Sequence, residues 1–291
     1  MTSLADPLQV ERPGVRAAFD RAGATYEAAA HLQASIGDEL LERLEPFDFT
    51  PAAVLDLGAG TGRLAGRLKR RYRRARVIAL DLAPGMLRES VRHQRLLRRF
   101  DRVCADAHRL PLKSASMGLV FSNLMLQWCD PPDGVLAEVR RVLAPDGFFA
   151  FSTFGPDTLK ELRAAWGEAD VRTHVNRFLD VHDVGDALVR AGFSEPVLDV
   201  ERLTVAYDDV MSLMRDLKSI GAHNVTVGRW RALTGKGRLQ RMTEAYEAFR
   251  RGGRLPATYE VVFGAAWAGR ERLAGSDVHI SPAEIRRRGR T

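Results

Sequence analysis

The stretch "AAVLDLGAGTGR" (residues 52–63) is an apolar run broken only by Asp56, followed by glycines at 58, 60 and 62. A short run with no polar alternation fits a strand covered on both faces, which is the habit of parallel sheets. The same unit recurs on either side of it. Thr61–Arg74 is amphipathic and predicts a helix. Val77–Leu80 predicts a second strand, closed by Asp81. Pro84–Leu97 predicts a helix with proline in its first turn. Arg102–Cys104, ending at Asp106, is a third strand, and Met117–Ser122 a fourth. Pro131–Leu143 is a helix, "PDG" (145–147) a turn, and "FFAFSTF" (148–154) a fifth strand. Strands alternating with helices at this rate imply βαβ units. Right-handed crossovers then give a doubly wound sheet whose ligands bind outside the carboxyl ends of the strands.

The flanks differ from this core. Residues 1–13 predict no element, and residues 15–44 predict a helix with Leu32, Ile36, Leu40 and Leu44 four apart. Residues 157–192 predict helices, 197–206 a strand and 208–250 further helices. Residues 257–269 predict a last strand, paired antiparallel with the sheet. The expected fold class is α/β: a doubly wound, mostly parallel, seven-stranded Rossmann-like sheet with helical insertions. Within one domain, residues 1–45 form an N-terminal helical lid and 46–156 the ligand-binding core. Residues 157–269 complete the sheet and carry the substrate-binding insertions, and 270–291 form a basic tail.

No apolar run approaches the ~18 residues of a spanning helix, so no membrane role is expected. "MTSLADPLQVERPG" lacks a basic-then-apolar leader, which predicts a cytoplasmic protein. Cys104 and Cys129 are isolated and make no metal or disulfide spacing; both are expected to be buried thiols. The chain carries 44 Lys and Arg against 37 Asp and Glu, a net +7. "LKRRYRRAR" (68–76) and "EIRRRGR" (284–290) concentrate that charge, which suits an acidic partner and equally a solvated helix end.

The loop narrows the ligand. A dinucleotide fold wants G-x-G-x-x-G, but Arg63 occupies the third position. A phosphate-binding loop ends in G-K-[ST], which is also absent. D-x-G-x-G-x-G is the pattern of S-adenosylmethionine-dependent methyltransferases (class I). Glycine there lets backbone pass close to the methionine portion without a Cβ. Asp56 is then expected to meet the cationic amino end, and Asp81 both ribose hydroxyls. Leu82 and Met86 follow Asp81, and Asp106 with Ala107 faces the adenine edge. Asn123, at the end of the fourth strand, completes the set. A strand-closing Asp is often only a helix cap; two on consecutive βα units after this loop make the stronger case. No metal is expected.

For the acceptor, Asp130-Pro131-Pro132 comes seven residues past Asn123, with Asp133 where base-amino methyltransferases place an aromatic. It fits a helix start instead, so nucleic acid is not expected as a partner.

Five further stretches carry a more specific resemblance. "VRAAFDRAGATYEAAAHLQ" (15–33), "SNLMLQWC" (122–129), "THVNRF" (173–178), "LKSIGAHN" (217–224) and "PATYEVVFG" (256–264) are similar to the malonyl-acyl carrier protein O-methyltransferases that start pimeloyl synthesis for biotin. The chain departs from that family's pattern at Ala59, often Cys, and in the tail. The resemblance implies a malonyl thioester, on carrier protein or coenzyme A, as methyl acceptor, with S-adenosylhomocysteine as by-product. It implies a lid role for Tyr26, a carboxylate clamp at Arg177, and pocket walls at Trp128, Lys218 and Tyr259. The substrate carboxylate is already ionised at neutral pH and needs no general base; the sequence offers no His–acid pair for one. His174 and His223 are expected to be satisfied or solvent-facing. Each assignment has a plainer alternative: Tyr26 packs its helix, Arg177 pairs with an acid, Trp128 belongs to the core.

"FGPDTLKELRAAW" (154–166) also resembles mitochondrial assembly factors that act on a protein arginine. That reading, and a non-catalytic S-adenosylmethionine-binding carrier-protein module, stand as alternatives.

Overall fold

The computed structural model describes residues 11–221 and 235–269. His223, the end of "LKSIGAHN" and the tail from 270 lie outside the described residues. The centre is a seven-stranded sheet: β1 (Ala53–Leu57), β2 (Arg76–Asp81), β3 (Asp101–Cys104), β4 (Met117–Asn123), β5 (Leu143–Phe154), β6 (Ser194–Tyr207) and β7 (Leu255–Trp267). The order across it is β3-β2-β1-β4-β5-β7-β6. β1 to β5 pair in parallel, and β7 runs antiparallel between β5 and β6.

Both faces are covered, which explains the unbroken apolar strands. In "FFAFSTF", Phe148, Ala150 and Phe154 enter one core, while Phe149 and Phe151 enter the other. The first core packs against α3 (His31–Glu42), α4 (Arg63–Arg71), α7 (Lys160–Ala169), α9 (Val210–Ser219) and α10 (Lys236–Glu247). The second packs against α6 (Asp133–Val142) and α8 (Val181–Arg190). Full burial of each such phenylalanine contributes about 1.5–3 kcal/mol. Gly264 in β7 makes room for the Phe151 ring, since a Cβ there would lie 2.1 Å from Phe151 Cζ.

Four expectations are corrected. The helix over 15–44 is three pieces: α1 (Arg12–Ala22), α2 (Tyr26–Ala29) and α3. Gly23 ends α1 where a Cβ would meet the backbone of Gly85 at 3.0 Å, so tertiary contact interrupts a good helical sequence. The helix from Pro84 is short, α5 (Pro84–Glu89), followed by one 3₁₀ turn. "PDG" is no free turn but lies inside β5, with Asp146 at φ 59° beside a register shift in β4. Cys104 is exposed on edge strand β3, whereas Cys129 is buried as expected.

Among the described residues no helix is long and apolar enough to cross a membrane. No group of three or more His, Cys, Asp or Glu is placed to hold a metal ion among them.

Candidate functional site

The strand order reverses between β1 and β4, and a crevice opens at their carboxyl ends, enclosing about 1000 Å³ with its open mouth. Three consecutive βα loops build one wall, which is why it was legible in the chain. Gly58, Gly60, Asp81, Leu82, Met86, Asp106 and Ala107 all line it. The glycine loop is held under β2: the Gly58 and Ala59 N–H groups donate to the Leu80 carbonyl at 2.9 and 3.0 Å. Gly60 N–H donates to Asp81 Oδ2 at 2.8 Å, and Ala83 N–H to Oδ1 at 2.8 Å. The carboxylate is therefore aimed by backbone, with further lone pairs left for a ligand.

The three glycines have different reasons. Gly60, at φ 53°, would point a Cβ into open space, so its face is the passage for a ligand. Gly58, at φ 75°, would strike the Met125 side chain at 2.5 Å. Gly62 does not line the crevice; at φ 76° it opens α4, and a Cβ there would strike Ser90 at 2.6 Å. Its role is packing, which corrects its expected place in the ligand set.

Asp56 is also displaced from expectation. It is 1% exposed, lies under the loop rather than in its lining, and its Oδ2 has no hydrogen-bond partner. Burial, then the charge of Asp81, pushes its carboxyl up to about 7. Burial likewise raises Asp81, opposed by the Ala83 and Gly60 N–H groups. The buried Asp56 carboxyl with its orphaned oxygen, beside the Asp81 carboxyl on the crevice wall and with no cation between them among the described residues, fits the positively charged amino end of S-adenosylmethionine. Burial would raise Asp106 as well, but hydrogen bonds from the backbone and ring of His108 and from Arg12 hold it below the ordinary range. Asn123 lines the crevice, yet both ends of its amide are engaged. Nδ2 donates to the Gln33 carbonyl at 3.0 Å, and Oδ1 accepts from Ser152 Oγ at 2.8 Å. It ties α3 to the sheet rather than offering a free contact.

α1 spans the mouth. At one end Arg12 Nη1 lies 3.2 Å from Asp106 Oδ2; at the other, Asp20 Oδ1 accepts from Gly85 N–H at 2.5 Å. Tyr26 lies beneath it on the crevice wall, packed with Ala83, Met86 and Phe19. Burial, then the Asp81 carboxylate, raises its phenol, so it stays a neutral donor.

A second chamber adjoins the first, between the sheet end and α1, α7 and α9. Tyr259 and Lys218 line it, the tyrosine buried and the lysine exposed. Gln33, Gln127, Trp128, Phe154 and Ile220 line both chambers and so mark their junction. Trp128 is thus at the crossing, its ring 5.2 Å from Phe19. Sequence reasoning missed the two glutamines, although both lie inside quoted stretches; nothing local distinguishes them from helix-surface residues.

Arg177 is not brought to either chamber. It is exposed and lines an outer recess with Arg163 and Asp183, which adjoins the second chamber through Trp166, His174, Val175, Asn176 and Phe178. The irregular segment after α7 turns it outward, while its neighbours Asn176 and Phe178 line the second chamber. His174 is satisfied, stacked on Trp166 at 3.7 Å and 2.8 Å from Asp170 Oδ1. The fold also forms His–acid pairs the sequence did not reveal, His93–Glu27 and His108–Asp106. His93 and Glu27 line neither chamber, and His108 stands at the Asp106 end, away from the junction.

Comparison with known proteins adds the family context. Residues 55–151 match a family described as a methyltransferase domain. A malonyl-[acyl-carrier protein] O-methyltransferase of Methylovorus sp. is 52% identical, covering 98% of each chain. One from Laribacter hongkongensis is 54% identical over 91% of this chain and 92% of its own. Among solved structures, the YcgJ protein of Bacillus subtilis superposes with TM-score 0.57 at 16% identity, over 80% of this chain and 99% of its own. Phosphoethanolamine N-methyltransferase 2 of Haemonchus contortus, solved with S-adenosylhomocysteine, gives 0.52 at 16% identity, over 86% and 58%. These two speak to the fold alone.

Proposed function

The chain belongs to the malonyl-[acyl-carrier protein] O-methyltransferases, and we propose that it methylates the free carboxylate of a malonyl thioester carried on acyl carrier protein, using S-adenosylmethionine. The observation that carries this is similarity over 98% of the chain, which takes in the insertions as well as the shared sheet. The assembly-factor and non-catalytic alternatives gain nothing comparable.

When bound, S-adenosylmethionine supplies a sulfonium-activated methyl carbon that the carboxylate oxygen takes as the carbon–sulfur bond breaks, leaving S-adenosylhomocysteine. The chain's own work is binding, orientation and exclusion of water. Asp81 would hold the ribose hydroxyls, Asp106 and Ala107 the adenine edge, and Asp56 would answer the ammonium charge from beneath the loop. Leu82 and Met86 supply apolar wall. Tyr26 and α1 would act as the lid, since α1 is fastened to both walls of the crevice. One fastening, Arg12–Asp106, is an exposed pair of the kind worth about 0–1 kcal/mol, which suits repeated opening.

Trp128 and Tyr259 would wall the acyl chain. Arg21, Arg215 and Lys218 are exposed on the second chamber's lining, where they would steer an acidic carrier protein. Methylation makes a charged chain end neutral, and so acceptable to an apolar pocket.

The test is transfer of labelled methyl from S-adenosylmethionine to malonyl-carrier protein, malonyl-coenzyme A and a longer diacid thioester, side by side. Label on the malonyl thioester as a base-labile ester is expected. Label on none of the three overturns the proposal.

A further inference from the structure

We infer that Gln33 and Gln127 form a neutral amide clamp that positions the acceptor carboxylate, the work the sequence resemblance assigned to Arg177. The inference rests on the proposed carboxyl methylation.

Methyl transfer requires the acceptor oxygen to sit where the two chambers meet, because the cofactor fills one and the thioester the other. Among the described residues, Gln33, Gln127, Trp128, Phe154 and Ile220 alone line both. Among these, the glutamines alone offer amide donors, and no cation stands at the junction among the described residues. Arg12 and Arg16 line only the cofactor chamber, Arg21, Arg215 and Lys218 only the outer one, and Arg177 neither.

Gln33 is held ready by its surroundings. It lies in the first turn of α3, its backbone carbonyl fixed by Asn123 Nδ2 at 3.0 Å. Its Oε1 is buried without a hydrogen-bond partner. A buried unpaired amide atom carries its desolvation cost with nothing to offset it, so it belongs where a ligand completes it. Rotation of the amide exchanges its two ends, so that position can present an N–H to a carboxylate. Gln127 follows β4 in a 3₁₀ turn, and its Oε1 accepts from Thr153 Oγ1 at 3.2 Å. That bond leaves its Nε2 as the end for a ligand.

The choice of amides has a chemical reason. A bidentate arginine binds both carboxylate oxygens strongly in the ground state, which withdraws nucleophilicity and must be undone to react. A neutral N–H orients one oxygen with a weaker bond and leaves the other its lone pairs. Positive charge for the anion is then supplied at the reacting centre, not beside it.

Substitution to glutamate gives a signature that a packing role cannot imitate. In Gln33→Glu the new carboxylate repels the substrate when ionised, but when protonated it is isosteric with the amide and donates again. At about pH 8, kcat/KM for malonyl thioester should fall more than tenfold, while S-adenosylhomocysteine affinity stays within about twofold. The ratio of variant to wild-type activity should recover severalfold as pH falls to about 5.5, toward the range of a carboxyl raised by a neighbouring anion. Gln127→Glu should behave alike and carries the test if Gln33→Glu fails to bind S-adenosylhomocysteine. A variant that keeps wild-type kcat/KM at pH 8, or whose deficit does not change with pH, overturns the clamp while wild-type transfer upholds the function. No transfer by wild-type protein overturns both.

Discussion

Asp81 shows how one side chain gains its role from backbone. Its two oxygens are aimed by the Gly60 and Ala83 N–H groups, so a ligand meets a carboxylate that is already oriented. Asp81→Ala should weaken S-adenosylmethionine binding by more than about tenfold in calorimetry, since a charged acceptor for two hydroxyls is lost. Asp56 makes a separate prediction about pH. Its carboxyl is raised to about 7 in the folded chain, against about 3.9 unfolded. Between those values the folded state holds a proton that the unfolded state has released, so this contribution to stability is full below about pH 4 and is lost as pH rises through 7. Melting temperature of the ligand-free protein should therefore fall over that interval, and Asp56→Asn should flatten the dependence. Arg177→Ala should leave kcat/KM within about twofold, because the side chain is exposed in the outer recess and lines neither chamber; a tenfold loss would return it to the site.

The N-terminal helices depend on one close approach. α1 reaches α5 through Gly23 and Gly85, and a Cβ on Gly85 would lie 2.4 Å from the Asp20 carbonyl oxygen. Because that neighbour is backbone, Gly85→Ala must push α1 away from the crevice. Overpacking of this kind costs about 1–3 kcal/mol, a drop of a few degrees in melting temperature. The larger consequence is expected in function: α1 carries Arg12 and Phe19 and leads into Tyr26, so S-adenosylmethionine affinity should fall with stability. Retained affinity at reduced stability would separate α1 from any lid role.

Taken whole, the molecule joins a net charge of +7 to a chamber mouth with Arg21, Arg215 and Lys218 on its lining. Steering of an acidic carrier is screened beyond about 10 Å at 0.1 M salt. Raising salt from about 50 to 300 mM should therefore lower kcat/KM for malonyl-carrier protein severalfold, mainly through association. Arg21→Glu and Lys218→Glu should lower the low-salt value and shrink the salt effect. Unchanged values would move carrier docking to another basic cluster, such as that of residues 68–76.

The βαβ order, the reversal point and the cofactor wall were legible in the chain because each is local. Gly60, Asp81 and Asp106 stand on successive strand ends, so backbone periodicity alone brings them together. Their neighbours show where local pattern stops: Gly62 and Asp56 share the motif, yet one packs under it and the other lies buried below. The break at Gly23, the outward turn of Arg177 and the place of Gln33 and Gln127 on the lining of both chambers had no local sign. Each depends on how distant elements pack: α1 on α5, the segment after α7 over the sheet end, α3 against the turn after β4. Periodicity encodes which face a residue takes on its own element; which side chains converge across elements follows from packing that no single stretch of chain contains.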